Sequence, residues 1–236
     1  MPRKDFKEAD MYAPLKKHFE RLGYTARAEV KGIDVVLTKG DEVVIIEMKK
    51  AFNMKVVFQA LDGQKVAGGA YIALPGRAFV KNRKHILHIL QRLGIGLVTV
   101  DIDKRGQPVQ VHLVPNMASG RNSKASRALL DEFNGRTFDD NIGGQTGEKI
   151  MTAHKERCIQ IAVALKQLGT SSPANLVKNH ACHKTTGQIL RINFYGWYEK
   201  VDKGLYALSW QGHEALESPM FAKLVAHYEK GEDHNE

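Results

Sequence analysis

The chain has 236 residues, 43% of them apolar, and a formal net charge of +9. That length suits one large or two small domains, and that apolar share is enough to build a packed core. Only Cys158 and Cys182 are present, with no CxxC pair, which excludes a disulfide scaffold. No run approaches the roughly 18 apolar residues of a membrane span. The charged first ten residues carry no signal-peptide apolar run, so a reducing, cytoplasmic location is expected. The basic balance favours a polyanionic partner, usually nucleic acid.

Met11, Leu15, Phe19 and Leu22 recur at helical spacing, which predicts a helix over 6–22 ended by Gly23. Three runs rich in β-formers follow at 24–30, 33–38 and 43–49, with Lys39-Gly40-Asp41-Glu42 turning between the last two. Residues 53–66 read as a helix, 70–74 as a short strand before Pro75, and 81–93 as a second long helix ended by Gly94. Strands are predicted at 96–102 and 109–114, paired across Lys104-Arg105-Gly106. The order α-β-β-β-α-β-α-β-β defines a first domain over 1–115. From 116 to 148 the sequence turns polar and glycine-rich, with a possible helix at 126–133, and reads as the connection between domains.

A second domain is expected over 149–236. Cys158, Ile161, Ala162, Leu165 and Leu168 share one face of a helix over 154–168, closed by Gly169. Ser172 as N-cap and Pro173 after it open a helix to about Ala181. Thr185 or Thr186 opens a third helix to about Phe194. Residues 197–201 and 205–210 flank Asp202-Lys203-Gly204, a hairpin signal. Three helices followed by a β-hairpin is the winged-helix order.

The chemistry lies in Asp34, Glu47 and Lys49. With Gly40-Asp41 at the centre of the turn, glycine first suits a type II′ hairpin. Paired positions then place Thr38 opposite Val43, Val36 opposite Ile45 and Asp34 opposite Glu47. Directly opposed residues hold their Cβ atoms roughly 5 Å apart. Lys49, two residues past Glu47, leaves the same face. Ile33, Val35, Leu37, Val44, Ile46 and Met48 form the other, apolar face. Opposed like charges destabilise a sheet, and unpaired charge near a core is expensive. A divalent cation removes both objections: Mg²⁺ accepts carboxylate oxygens, keeps several waters, and takes phosphate oxygens as its remaining ligands. The plain alternative is a Lys49 salt bridge at a strand end.

Gly32-Ile33-Asp34 followed by Val44-Ile45-Ile46-Glu47-Met48-Lys49 resembles the D…ExK core of the PD-(D/E)XK nuclease superfamily. The predicted α-β-β-β-α-β order resembles that superfamily's restriction-endonuclease-like α/β (α+β) fold. More narrowly, Glu8-Ala9-Asp10-Met11-Tyr12, Phe52-Asn53, Gln59-Ala60-Leu61-Asp62, Tyr71-Ile72-Ala73-Leu74-Pro75 and Asn193-Phe194-Tyr195-Gly196-Trp197 resemble an uncharacterised bacterial family of PD-(D/E)XK-type phosphodiesterases. Ile33 stands where the superfamily name has proline. The resemblance implies that Asp34 and Glu47 ligate Mg²⁺ or Mn²⁺ and that Lys49 is the catalytic lysine. It implies that Glu8 adds a carboxylate to the site and that Gln59 lies near the substrate. Glu29, just before the hairpin, could also reach the metal.

In the second domain, Lys184, Thr185, Thr186, Gln188 and Arg191 would lie on the recognition helix of a helix-turn-helix, with Lys200 and Lys203 on the wing. The bland alternative is a winged helix used for dimerisation or protein contact. Trp197, Tyr198, Tyr206 and Trp210 read as hairpin core rather than base-stacking platforms. His180, Cys182 and His183 cluster, but no second half-site follows at zinc-finger spacing. The expected function is a metal-dependent nuclease acting on double-stranded DNA, with a homodimer suited to cutting both strands. The rival is a non-catalytic DNA-binding regulator that keeps the nuclease-like domain as scaffold.

Overall fold

The computed structural model describes residues 6–80, 82–104, 106–117, 123–139, 141 and 151–230. They form two compact units. The first holds the described residues up to Asn134, with Asp139 and Asn141; the second holds Gly135–Phe138 and residues 151–230.

The first unit opens with a 3₁₀ turn, Glu8–Met11, that runs into α1 (Tyr12–Arg21). Strands β1 (Thr25–Val30), β2 (Ile33–Lys39) and β3 (Glu42–Met48) form an antiparallel meander. Helix α2 (Met54–Gln64) crosses over to β4 (Gly69–Pro75), which runs parallel to β3. The side chain of Asn53 caps α2 by accepting from the Val56 amide at 3.0 Å. The helix expected over 81–93 is present as α4 (Arg83–Leu93), ended by Gly94 at φ +66, and a short helix not expected from the sequence, α3 (Gly76–Val80), precedes it. Parallel β5 (Gly96–Val100) and antiparallel β6 (Val109–Leu113) complete a mixed six-stranded sheet, ordered β1 to β6.

Both faces of this sheet are covered, so the central strands are buried almost residue by residue. Val36, Ile45, Ile72 and Leu97 pack with Val57 and Ala60 of α2 and with Leu90 of α4. Val35, Leu37, Ile46 and Met48 pack under Leu15 and Phe19 of α1. Ile33 departs from the expected alternation: it packs with the Val36 cluster, at the strand's turn end.

Helix α5 (Ser123–Asn134) lies inside the stretch read as a connection, yet it belongs to the first unit. Leu129 and Phe133 join the core beneath α2, and the Arg27 guanidinium lies 5.1 Å from the Phe133 ring centre. Much of 116–148 expected as linker is therefore part of a packed layer. Residues 118–122, 140 and 142–150 of that stretch lie outside the described residues.

In the second unit, α6 (Ala153–Leu168) is followed by the two-residue strand β7 (Thr170–Ser171), α7 (Pro173–Asn179) and α8 (Thr186–Ile192). The hairpin β8 (Tyr198–Asp202) and β9 (Leu205–Leu208) pairs with β7 in the order β7-β9-β8. Two helices not expected from the sequence follow, α9 (Trp210–Leu216) and α10 (Ala222–Lys230). Ser209 caps α9 by accepting from the Gly212 amide at 3.2 Å. Helix α6 is the centre of this unit's core, with Ile161, Ala162 and Leu165 packed among Leu176, Leu190, Trp197 and Leu208. No helix among the described residues is long and apolar enough to cross a membrane.

One close approach fixes α2 against the sheet. A Cβ on Gly63 would stand 2.3 Å from Cδ1 and 2.7 Å from Cγ1 of Ile45, a side chain with no exposed surface. Gly63→Val should therefore cost about 1–3 kcal/mol of stability by overpacking. Urea unfolding of wild type and variant measures this, and equal midpoints would refute the packing constraint.

Candidate active site

The predicted hairpin register is present. Val35 pairs with Ile46, Val36 with Ile45, Leu37 with Val44, and Thr38 with Val43. Gly40 takes φ +56, as a turn with glycine in the first central position requires. Carried one rung further, the same register brings Asp34 at the start of β2 beside Glu47 at the end of β3. There the ladder changes partner: Oδ2 of Asp34 accepts from the Met48 amide at 2.7 Å. The aspartate is thus fixed by the backbone of the strand that carries Glu47.

Lys49 lies just past β3. Its backbone amide donates to the Ala73 carbonyl, and its ammonium donates to the Met48 carbonyl at 2.9 Å. The same ammonium lies 3.3 Å from Oε2 of Glu8 and 3.9 Å from Oδ2 of Asp34. Glu8 is held twice, since its Oε1 also accepts from the Lys50 amide at 3.1 Å. The 3₁₀ turn that precedes α1 is thereby fastened to the end of β3. Glu8, Asp34 and Lys49 form one cluster, with side chains only 13–24% exposed.

Glu47 is more extreme. It is 3% exposed, and its Oε2 has no hydrogen-bond partner. Gln59 of α2 likewise has a buried, unpartnered Oε1. The two residues line one cavity of about 260 Å³, together with Gly32, Ile33 and Asp62. Burial pushes the Glu47 carboxyl up to about 8; the neighbouring charge of Asp34 adds to this, Lys49 opposes it, and Glu29 adds a little more. Asp34 is also raised, first by burial, with the Met48 amide and Lys49 pulling the other way and Glu8 adding to the rise.

Glu29 belongs with these acids. Lys31 and Gly32 both take positive φ, +52 and +79, which makes a type I′ turn between β1 and β2. The pairing of Ala28 with Val35 and of Val30 with Ile33 puts residues 29 and 34 abreast. Glu29 is buried and itself sits at φ +52. The strand spacing over 24–38 already implies this alignment, because a two-residue turn at Lys31-Gly32 fixes it.

These donors suit a hard divalent cation. Two carboxylates near one another, a buried carboxylate oxygen with no partner, and an unpartnered amide oxygen are oxygen ligands, which Mg²⁺ prefers. Mg²⁺ needs only one or two carboxylates when water and phosphate complete its shell. No group of three or more His, Cys, Asp or Glu side chains among the described residues is placed to hold a metal by itself. Asp34 and Glu47 would be its ligands, with Gln59 facing the same cavity.

In the second unit, Gln188 and Arg191 are exposed along α8, whereas Lys184, expected on that helix, is exposed in the turn before its N-cap Thr185; Lys200 and Lys203 are exposed on β8 and its turn. Thr186 departs from the expected contact surface. It is 0% exposed, and its hydroxyl donates to the His183 carbonyl at 2.6 Å, so it fixes the start of the helix and faces no ligand. Thr185 is half-buried against His183. Trp197 and Tyr198 are core, as expected, and Tyr206 is half-buried. Trp210 is 72% exposed at the start of α9, not hairpin core.

Residues 98–215 match the family described as "Putative PD-(D/E)XK phosphodiesterase (DUF2161)". The matched segment runs from β5 to α9 and does not include Asp34, Glu47 or Lys49. Among solved structures, the SPO1766 protein of unknown function from Silicibacter pomeroyi is similar, with 14% identity and a TM-score of 0.41. That similarity covers 55% of this chain and 86% of the other. No curated protein matches the chain.

The buried acids make a signed prediction for the metal-free protein. Glu47 in the folded state titrates near 8, above its ordinary value of 4.5, so the folded state holds a proton that the unfolded state releases. This contribution to stability is present below about 4.5 and is lost as pH rises through about 8. Glu47→Gln removes the ionisation. It should stabilise the protein in chelator, by roughly 3 kcal/mol more at about pH 9 than at about pH 6. Denaturant unfolding at the two pH values reads the difference; a pH-independent effect would contradict the burial of this charge.

Proposed function

The chain belongs to the PD-(D/E)XK phosphodiesterase family, and from that membership and its acid cluster we propose that it is a divalent-metal-dependent nuclease that hydrolyses DNA phosphodiester bonds. The observation that carries this reading is Glu47: a carboxylate 3% exposed, with an unpartnered oxygen, placed beside Asp34 with Lys49 close by. A protein gains nothing in stability from such a pair, and perturbed carboxylates that converge in a cavity are what hydrolytic sites require.

Mg²⁺, or Mn²⁺, bound at Asp34 and Glu47 would polarise the scissile phosphate and lower the pKa of a bound water. The chain's own residues divide the remaining work. Asp34 is oriented by the Met48 amide, so its free oxygen keeps a fixed direction. Lys49 presents an ammonium that can offset charge gathering on the phosphoryl oxygens as water adds and the leaving oxygen departs. Glu8 is a positioning residue, which holds Lys49 through the 3.3 Å ion pair. The Gln59 amide can orient a water or a substrate oxygen from the α2 side.

The second unit supports a winged-helix reading. Its order α6-β7-α7-α8-β8-β9 and its sheet order β7-β9-β8 are those of a winged helix. On that reading α8 enters the major groove with Gln188 and Arg191, Lys184 meets the backbone from the turn before it, and Lys200 and Lys203 approach the backbone from the hairpin. The preferred substrate is then double-stranded DNA. The rival reading, a DNA-binding regulator without catalysis, leaves the buried acid pair without a role.

Incubation of the full chain with supercoiled, linear and single-stranded DNA, with Mg²⁺, Mn²⁺ or chelator, tests the reading. Cleavage is expected with metal and absent with chelator. Asp34→Ala, Glu47→Ala and Lys49→Ala should each lower the rate about a hundredfold or more while remaining folded by circular dichroism. If all three still cut in a chelator-sensitive way, the site is wrongly assigned. Calorimetry that detects neither Mg²⁺ nor Mn²⁺ binding would favour the regulator.

The winged-helix reading has its own test. Reversing charge in Lys184→Glu/Arg191→Glu should weaken duplex binding and lower the salt slope of log K by about one for each phosphate no longer neutralised. Fluorescence anisotropy over a salt series reads both quantities. Unchanged slopes would assign this face to protein binding.

A further inference from the structure

A second concave site lies along α1, and none of Glu8, Asp34, Glu47 and Lys49 lines it. A cleft of about 530 Å³ runs between α1 and the connection from β5 to β6. On the helix side it is lined by Ala13, Pro14, Lys17, His18, Arg21 and Leu22. These positions fall at i, i+4 and i+8 in two adjacent rows, so one face of α1 supplies them all. On the other side stand Lys104 and, beyond it, Pro108 and Val109.

The lining has two parts. Pro14, Leu22, Pro108 and Val109 make an apolar floor, with Leu22 half in solvent at 51% exposure. Lys17, Arg21 and Lys104 make a cationic rim, and among the described residues no carboxylate lines the cleft. The neighbouring α1 cation behaves differently: Lys16 is taken up by Glu20 and Asp139. Lys17, Arg21 and Lys104 have no such ion pair among the described residues. His18 is half-buried at the same wall, and burial, reinforced by Arg21, lowers its pKa.

Three uncompensated cations in one concavity repel one another, and without an anion they have only solvent to screen them. Ligand pockets commonly have a volume of about 300–1,000 Å³, with an apolar lining and a few polar anchors. A bare inorganic anion would leave the apolar floor unused, and a purely apolar ligand would leave the rim unused. The combination fits a flat ring joined to a phosphate.

We propose that this cleft binds a nucleotide unit, with the phosphate against Lys17, Arg21 and Lys104 and the base or sugar over Leu22, Pro14 and Pro108. The unit can be a free mononucleotide or one residue of a strand; the chemistry is the same. From Glu8 to Arg21, on the cationic rim, the helical rise is on the order of 20 Å. The cleft shares no lining residue with the cavity of Glu47 and Gln59, and its existence does not depend on whether the carboxylates hydrolyse anything.

Binding to the full chain is measured in chelator, so that no metal-dependent step enters. The probes are AMP, adenosine, inorganic phosphate and a 5′-labelled deoxythymidine decamer, titrated by calorimetry or anisotropy. AMP should bind, and adenosine should bind at least about tenfold more weakly, because it has no phosphate to accept charge-assisted hydrogen bonds. Arg21→Glu with Lys17→Glu should weaken AMP or decamer binding about tenfold or more. These side chains are exposed, and an unchanged unfolding midpoint confirms that the double variant is folded. Decamer binding without AMP binding supports the strand source, provided the charge reversal abolishes it. If neither AMP nor the decamer binds wild type, or if the charge reversal leaves affinity unchanged, the proposal is overturned. Lys104→Glu gives a separate check from the other wall, with the same expected direction.

Discussion

A carboxylate that cannot reach water needs either a proton or a counter-charge, and the first unit of this protein is arranged around that constraint. Glu47 occupies the penultimate position of a strand whose neighbours are almost wholly buried. Asp34 and Glu29 come abreast of it on the next two strands. Like charges side by side on a sheet are unfavourable, and the low polarity of the surroundings strengthens the repulsion. Lys49 alone offsets only part of this, because its ammonium is already shared between Glu8 and the Met48 carbonyl. The unpartnered oxygens of Glu47 and Gln59 mark what is left uncompensated, and a hard cation with its waters would satisfy them.

The rigidity of the sheet is what keeps the acids in this arrangement. Two tight turns set the registers: Lys31-Gly32 between β1 and β2, and Gly40-Asp41 between β2 and β3. A slip of one residue at either turn would move its acid to the opposite face. Helices cover both faces, so such a slip would also bury polar groups in two cores. Glu29 shows the cost of the arrangement locally, since a non-glycine residue at φ +52 is held there by its surroundings. The same close packing brings α2 onto Ile45 at Gly63, which places Gln59 over Glu47.

The site is legible in the sequence to the extent that it depends on period-two alternation and turn chemistry. Those two signals give the β2–β3 register, and with it Asp34, Glu47 and Lys49. The link from Glu8 to Lys49 depends on how the first helix lies on the sheet, and a single sequence carries no such distance. The possible helix over 126–133 is present as α5, but its place is hidden for a similar reason: its surroundings are polar and glycine-rich, and only the burial of Leu129 and Phe133 makes it part of the core. Helices α9 and α10 are short segments, of seven and nine residues, held by packing onto α6. Thr186 departs from expectation because helix position does not say which side faces inward; its hydroxyl serves the backbone of His183. Trp210 departs in the other direction, because β9 ends at Leu208 and a new helix turns the indole to solvent.

The distribution of charge along α1 joins these observations. The 3₁₀ turn before the helix delivers Glu8 to a cluster of carboxylates, while the helix's last two turns deliver Lys17 and Arg21 to a cleft lined by no acid. Basic residues near a helix C-terminus are favourable on their own, because the backbone dipole is negative there. That stabilisation accounts for a cation at this end, but it does not account for a concavity with an apolar floor. Nor does the overall charge of +9 require the excess to gather opposite a loop that contributes Lys104. A polyanion drawn by the long-range field would meet attraction at the cleft, whereas at the other end of the helix Glu8 and Asp34 share the single ammonium of Lys49.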